Sequence, residues 1–367
     1  MALSGADVLQ LLKSNGFRGY CGVPCSRLGG LFSALRGDDD VQYVAAANEG
    51  AALSIAAGFQ LAGRKSCVIL QDSGLGNLVN PLTSLATAYR LPCLIIVSVH
   101  DEHDEAQHRG MAGLNQTLLE HCGIVCARAP REANDLATTI SLLSAAVERG
   151  DTAALLVPAG TIKRAPPTTL SNPVGGAIST ASVIASVVGS LDAQDVLIAT
   201  TGLTSRQLML QADSQRNFYM LGSMGHAIAI GLGVALSASP MRKVVVLDGD
   251  GAALMHLGTL STVGHYAPST LLHIILDNGT YATTGGQTTT SSSTSFADCA
   301  MACGYASASL CCSIEELELE LQCKRSGPSL LCVKTATQEE PPVSVASRYE
   351  LPVIGRRFAS HLMSSSA

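Results

Sequence analysis

The chain has 367 residues, 47% of them hydrophobic and 14% charged, with a net charge of −6, so it can bury a large core and build two domains of ordinary size. That charge offers no long-range attraction to nucleic acid or to an anionic membrane, so an anion must be held by local backbone N–H groups, a metal or a few side chains. Apolar runs such as Leu94–Val97 have strand length, far short of the ~18 residues of a membrane span.

In chain order, the first half reads as a helix over Gly5–Ser14 and a short strand over Tyr20–Val23. Strands follow at Tyr43–Ala45, Ser66–Leu70, Cys93–Val99 and Ala153–Val157, with helices at Glu49–Leu61 and Ala133–Glu148. Arg164–Ala177 is rich in Pro, Ser and Gly and reads as a linker. The second half repeats the alternation. Its helices are Ser179–Gly189, Ala227–Ser237 and Ala252–His265; its strands are Val196–Ala199, Val244–Leu247, Leu271–Leu276 and Ser329–Lys334. Such alternation predicts an α/β protein with two mainly parallel sheets, each covered by helices on both faces. The expected domains are 1–165 and 179–367, joined by a linker at 166–178, with no room for a middle domain. The Thr- and Ser-rich run Thr283–Ser295 is expected to be a mobile lid.

Twelve cysteines are scattered along the chain and form no common zinc pattern, so most are expected to be small core residues in a reducing, cytoplasmic setting. The N-terminus lacks the basic-then-apolar pattern of a secretory signal.

Two turns carry most of the chemistry. Val244–Leu247 runs into Asp248-Gly249-Asp250-Gly251-Ala252, and Ile274–Leu276 runs into Asp277-Asn278-Gly279-Thr280. Both turns lie where a parallel sheet presents its carboxyl ends. The carboxylate of Asp250 and the side-chain carbonyl of Asn278 are hard oxygen donors suited to Mg²⁺, which in turn holds a phosphate or diphosphate. Gly249 and Gly251 allow close backbone approach. This two-part pattern resembles the signature of the thiamine diphosphate-dependent enzymes, except that the first Asn of the usual Asn-Asn pair is Asp277 here.

The resemblance implies two thiamine diphosphate-binding-fold domains, one for the aminopyrimidine (1–165) and one for the diphosphate and metal (179–367). It gives the metal role to Asp250, Asn278 and Thr280. Glu49, in Ala47-Asn48-Glu49-Gly50, occupies the position of the family's glutamate, which hydrogen-bonds N1′ of the aminopyrimidine. On its own, a Glu in a first helical turn reads more often as a capping carboxylate. Gly222, Ser223 and Met224 resemble the loop beneath the aminopyrimidine, with Met224 as its apolar wedge; core packing is the plainer reading of a Met. Thr201, Gly202 and Thr204 resemble a diphosphate loop, to which Gly249, Gly251 and Ala252 add.

Three more motifs narrow the resemblance. Gly22-Val23-Pro24-Cys25-Ser26, Gln71-Asp72-Ser73-Gly74-Leu75-Gly76-Asn77 and Asp104-Glu105-Ala106-Gln107-His108 are similar to those of the phosphonopyruvate decarboxylase branch, with the sulfopyruvate decarboxylases as close relatives. Non-oxidative decarboxylation of a 2-oxo acid with an anionic C3 substituent is then the expected activity, with thiamine diphosphate and Mg²⁺ as cofactors. A homo-oligomer with active sites between subunits is implied. Ser73 and Asn77 are expected at the cofactor, and Ser26, Gln107 and His108 at the substrate, with Arg109 a further candidate donor. His108 is also a candidate catalytic residue, because an imidazole can both bind an anion and move a proton. Cys25 reads as a small packing residue.

Overall fold

The computed structural model describes residues 3–163, 178–239, 241–337 and 343–364, and the chain divides into two compact units, Met1–Thr168 and Thr169–Ala367. The expected linker at 166–178 lies outside the described residues, apart from Ile178.

The first unit holds β1 (Gly19–Gly22), β2 (Gln42–Ala45), β3 (Ser66–Gln71), β4 (Leu94–Val99), β5 (Val125–Arg128) and β6 (Ala153–Pro158). They form one parallel sheet in the order β2-β1-β3-β4-β6-β5. The second unit holds β7 (Val196–Ala199), β8 (Asn217–Tyr219), β9 (Val244–Gly249) and β10 (Leu271–Asp277). A short antiparallel ribbon follows, β11 (Thr280–Tyr281) with β12 (Gln287–Thr288), and then β13 (Ser307–Cys311) and β14 (Ser329–Lys334). Its parallel sheet has the order β13-β14-β10-β9-β7-β8. With the ribbon set aside, the two sheets have the same topology: the second strand lies outside the first, and the third lies on the first strand's other side. The crevice between the first and third strands is a topological switch point, where open α/β sheets bind ligands.

The central strands are mainly apolar because both faces are covered. Cys67 and Ile69 of β3 face one apolar cluster, while Val68 and Leu70 face another. In β9, Val245 and Leu247 face one cluster and Val244 and Val246 the opposite one. Each such side chain is worth about 1.5–3 kcal/mol when fully buried. A charge at Val246 would therefore strike the sheet at its centre.

Three local differences from the sequence reading have physical causes. The expected single helix Ala252–His265 is two helices, Asp250–Met255 and Thr259–Tyr266, because His256 leaves helical geometry (φ −133°, ψ 45°). The edge strands β5 and β13 escape a reading based on apolar runs because their largely exposed or half-buried residues form no continuous apolar stretch, and β8 escapes it because it is only three residues long and begins with Asn217. The expected lid Thr283–Ser295 is instead folded into the ribbon and two short 3₁₀ turns. Thr289 and Ser291 are buried, and their hydroxyls are anchored on Asp250 and Asp277. This stretch is polar because it satisfies buried carboxylates.

Candidate active site

In the first unit, Glu49 opens the helix Glu49–Leu61 directly after β2. The cap is Asn48, whose Oδ1 accepts the Ala51 N–H at 2.9 Å. Glu49 is thereby released from capping, and its side chain turns inward and is buried. Asn77 donates from Nδ2 to Glu49 Oε2 at 2.8 Å. Burial pushes the Glu49 carboxyl above its ordinary range, only partly opposed by Asn77. Asn77, expected at the cofactor, is thus committed to Glu49 in this structure.

At the carboxyl ends of β1, β3 and β4 a second group assembles. The Ser73 hydroxyl and His108 Nδ1 are 3.0 Å apart, and Gln71 Nε2 donates to Ser73 Oγ at 2.9 Å. Arg27 pairs with Asp104 and donates to the Val99 carbonyl at 3.0 Å. Gln107, expected as a substrate donor, has its amide N–H turned to Glu105. Ser26 starts the 3₁₀ turn after β1, and Arg109 donates to the Asp104 carbonyl at 3.1 Å. Cys25 is buried and lies 3.2 Å from Ser98 Oγ. Burial raises its thiol pKa, which leaves it a packing residue.

Sequence reasoning missed His100, Asp72 and Asn115. The His100 ring stacks on that of His108, with centroids 4.0 Å apart and an 8° interplanar angle. His100 Nδ1 lies 2.5 Å from Asp72 Oδ1, and Asn115 Nδ2 donates to Asp72 Oδ2 at 3.2 Å. Only the clustering of acids and histidines after β4 hinted at this group.

In the second unit, one cavity at the switch point is lined by Thr201, Gly202, Thr204, Met224, Gly249, Asp250, Gly251, Ala252, Asn278 and Thr280, with Thr180, Thr200 and Thr335 among the others. Gly222 and Ser223 belong to the turn that carries Met224 but do not line the cavity; Ser223 has a left-handed backbone, φ 51°. Gly202 (φ 94°, ψ −138°) adopts a conformation open only to glycine at the start of the helix Leu203–Ala212. At Gly251 a Cβ would come within 2.5 Å of the Tyr281 ring, so only glycine fits between that ring and the loop.

Asp250 begins a helix and is buried. Its Oδ2 accepts from Thr289 Oγ1 at 2.5 Å. Burial pushes its pKa up to about 6, the Thr289 hydrogen bond opposes this, and the nearby Asp277 adds to it. Asn278 Oδ1 accepts from the Thr280 N–H at 2.9 Å and from its hydroxyl at 3.2 Å. The Thr280 hydroxyl therefore steadies Asn278. Asp277, which stands where the family pattern has Asn, is buried and pairs with Lys334; it also accepts from Ser291 Oγ at 2.8 Å.

This cavity fits a metal-held diphosphate. The hydroxyls of Thr200 and Thr335 are buried at its wall without a hydrogen-bond partner, which is costly unless a ligand satisfies them. No cluster of three or more His, Cys, Asp or Glu side chains suited to a metal occurs among the described residues. A hard cation would thus rely on the Asp250 carboxylate, an amide oxygen and the oxygens of the anion itself.

Two sheets of one topology, one presenting a buried carboxyl and the other a cleft for a metal and an anion, define a two-domain cofactor enzyme. Residues 4–119 match the N-terminal thiamine pyrophosphate-binding domain of thiamine pyrophosphate enzymes, and residues 200–332 match the C-terminal one. The chain belongs to the thiamine pyrophosphate enzyme family. It is 36% identical over 349 residues to a phosphonopyruvate decarboxylase of Streptomyces viridochromogenes, covering 90% of this chain and 87% of the relative. A sulfopyruvate decarboxylase of Methanosarcina acetivorans is 29% identical, with 77% of each chain covered. The sulfopyruvate decarboxylase subunit beta of Methanocaldococcus jannaschii is 40% identical over 141 residues, covering 38% of this chain and 73% of that subunit.

Proposed function

We propose that the protein is a thiamine diphosphate- and Mg²⁺-dependent decarboxylase that converts 3-phosphonopyruvate to phosphonoacetaldehyde and CO₂. The observation that carries this reading is the 36% identity over 90% of the chain to phosphonopyruvate decarboxylases, in a chain that keeps a buried Glu49 and the Asp250–Asn278 cleft. Sulfopyruvate decarboxylase is the second reading, favoured by relatives at lower identity or over a smaller part of this chain.

Thiamine diphosphate, when bound, supplies the electron sink for loss of CO₂. Asp250 and Asn278 would hold the metal, Thr201, Gly202 and Thr204 the diphosphate, and Met224 the apolar wall. Glu49, with its raised pKa and fixed by Asn77, can share a proton with a ring nitrogen of the aminopyrimidine. Ser73 and His108 form a hydrogen-bonded pair able to meet the substrate, and His108 can carry a proton to or from it. Arg27 adds a fixed positive charge nearby, which suits a polyanionic substrate.

Decarboxylation of 3-phosphonopyruvate, 3-sulfopyruvate and pyruvate by the purified protein tests the assignment. Phosphonopyruvate is expected to have the highest kcat/KM. Pyruvate, leaving buried donors unpaired at about 1–3 kcal/mol each, is expected to be at least tenfold poorer. Preference for sulfopyruvate would install the second reading, and no turnover of any 2-oxo acid would end both.

A further inference from the structure

We propose that His100, fixed by Asp72, is a positioning residue that holds the His108 ring in its stack beside Ser73, so that His108 meets the substrate as a neutral imidazole. The inference deepens the decarboxylase reading and rests on it for the identity of the substrate.

Asp72 follows β3 and is fully buried. Three donors converge on its carboxylate: the His100 backbone N–H at 2.7 Å, the His100 ring at 2.5 Å and the Asn115 amide at 3.2 Å. Burial alone would raise the Asp72 pKa, but the two bonds from His100 outweigh it, and the carboxyl lies below its ordinary range. An ionised carboxylate only accepts hydrogen bonds, so Nδ1 of His100 must carry a hydrogen. That fixes the His100 tautomer and the orientation of its ring.

His108 lies face to face with this ring at 4.0 Å. A positive charge on the His100 ring so close to His108 opposes a second one there. His100 has the Asp72 carboxylate on its edge, whereas the Nδ1 partner of His108 is a neutral hydroxyl, Ser73. The charged groups facing His108 are His100 after β4, Asp72 after β3, Arg27 after β1, and Glu105 on its own loop. Burial, the repulsion from His100 and the smaller repulsion from Arg27 hold His108 below the usual imidazole range, outweighing Glu105 and Asp72. His108 is then free to accept a proton or donate a hydrogen bond without first losing a charge.

The test is a pH titration of the imidazole resonances by NMR on the full-length protein, with His108 assigned by its loss in His108→Gln. In the wild type, His100 is expected to keep Nδ1 protonated across the range in which His108 titrates. His100→Gln keeps a donor for Asp72 but cannot be charged, and the His108 midpoint is expected to move to higher pH. His100→Phe keeps the stacked ring without charge and should move it the same way, which covers a failure of the first variant to fold. An unchanged or lowered midpoint in the folded variants overturns the proposal. In turnover, His100→Gln is expected to lower kcat by about 10- to 100-fold through misplacement of His108 and to shift the corresponding limb of the pH profile. An equal loss at every pH would reduce His100 to a packing residue. The titration needs no substrate, so a protein that turns over no 2-oxo acid but shows the shift refutes the decarboxylase reading alone.

Discussion

The Glu49 carboxylate lies against the backbone of Gly74: a Cβ built on Gly74 would come within 2.1 Å of Glu49 Oε1. Gly74 follows Asp72 and Ser73 in the turn after β3, so the strand-end loop and the buried acid are set by one contact. The backbone of Gly74 (φ −85°) is open to any residue, so an effect of Gly74→Ala must come from this contact and not from backbone strain.

Gly74→Ala is therefore expected to cost about 1–3 kcal/mol in urea unfolding, the usual range for overpacking a filled site. Activity should fall further than stability, because the acid is displaced. Adding Glu49→Asp should restore stability by making room, and leave activity low because the carboxyl is withdrawn. Equal stability of wild type and Gly74→Ala would show that the loop yields freely.

Glu49→Gln is expected to lower kcat by on the order of 10²–10⁴-fold, since an amide cannot exchange a proton with a ring nitrogen. It should also change the pH dependence of stability. The native state holds the Glu49 proton more tightly than the unfolded chain does. Wild-type stability should therefore fall as pH rises from the ordinary value of 4.5 through the higher folded pKa. Gln mimics the protonated form, so the variant should be the more stable protein above that range and equal to wild type well below it. Unfolding free energies at several pH values check the crossover.

The Asp277–Lys334 pair is unequal: the Asp277 side chain is 2% exposed and that of Lys334 31%. Lys334→Met strands a buried carboxylate near Asp250 and is expected to cost on the order of 2–3 kcal/mol, somewhat less than a fully buried pair because the lysine is partly hydrated. Asp277→Asn leaves a lysine that can turn to water and should cost less than about 1 kcal/mol. The reverse ranking in denaturant unfolding would refute this division of roles.

Asp250→Ala is expected to abolish most thiamine diphosphate binding in the presence of Mg²⁺, measured by calorimetry, because the cleft loses the charged group proposed to hold the metal. Exhaustive chelation of the wild type should have the same effect on binding. Undiminished affinity in either case would refute the metal assignment.

Mixing inactive Glu49→Gln chains with inactive Asp250→Ala chains is expected to restore part of the activity if, as the family resemblance implies, the protein is a homo-oligomer whose sites draw one domain from each of two chains. No recovery after co-refolding would count against shared sites.

Much of the molecule was legible from local pattern. Continuous apolar runs such as Val244–Leu247 and Cys93–Val99 marked the central strands because burial on both faces demands them. The glycine-bearing turns marked the cleft, because close backbone approach to an anion leaves few other residues possible. Asp250 and Asn278 could be proposed from their places at strand ends, whereas Glu49 rested on the family resemblance, since its position alone reads as a helix cap. Other relations depend on packing between segments distant in sequence, which only the tertiary structure decides. Asp72 and His100 are 28 residues apart, and Ser73 and His108 are 35 apart; each pair meets because β3 and β4 are sheet neighbours in register. Lys334 meets Asp277 across 57 residues for the same reason, at the ends of β10 and β14. The polar run after Thr283 could not be told from a loop, because its buried hydroxyls owe their place to carboxylates on another strand and not to any periodicity of their own. Periodicity records which face of an element is dry; which polar groups share a buried site is set by strand order and register.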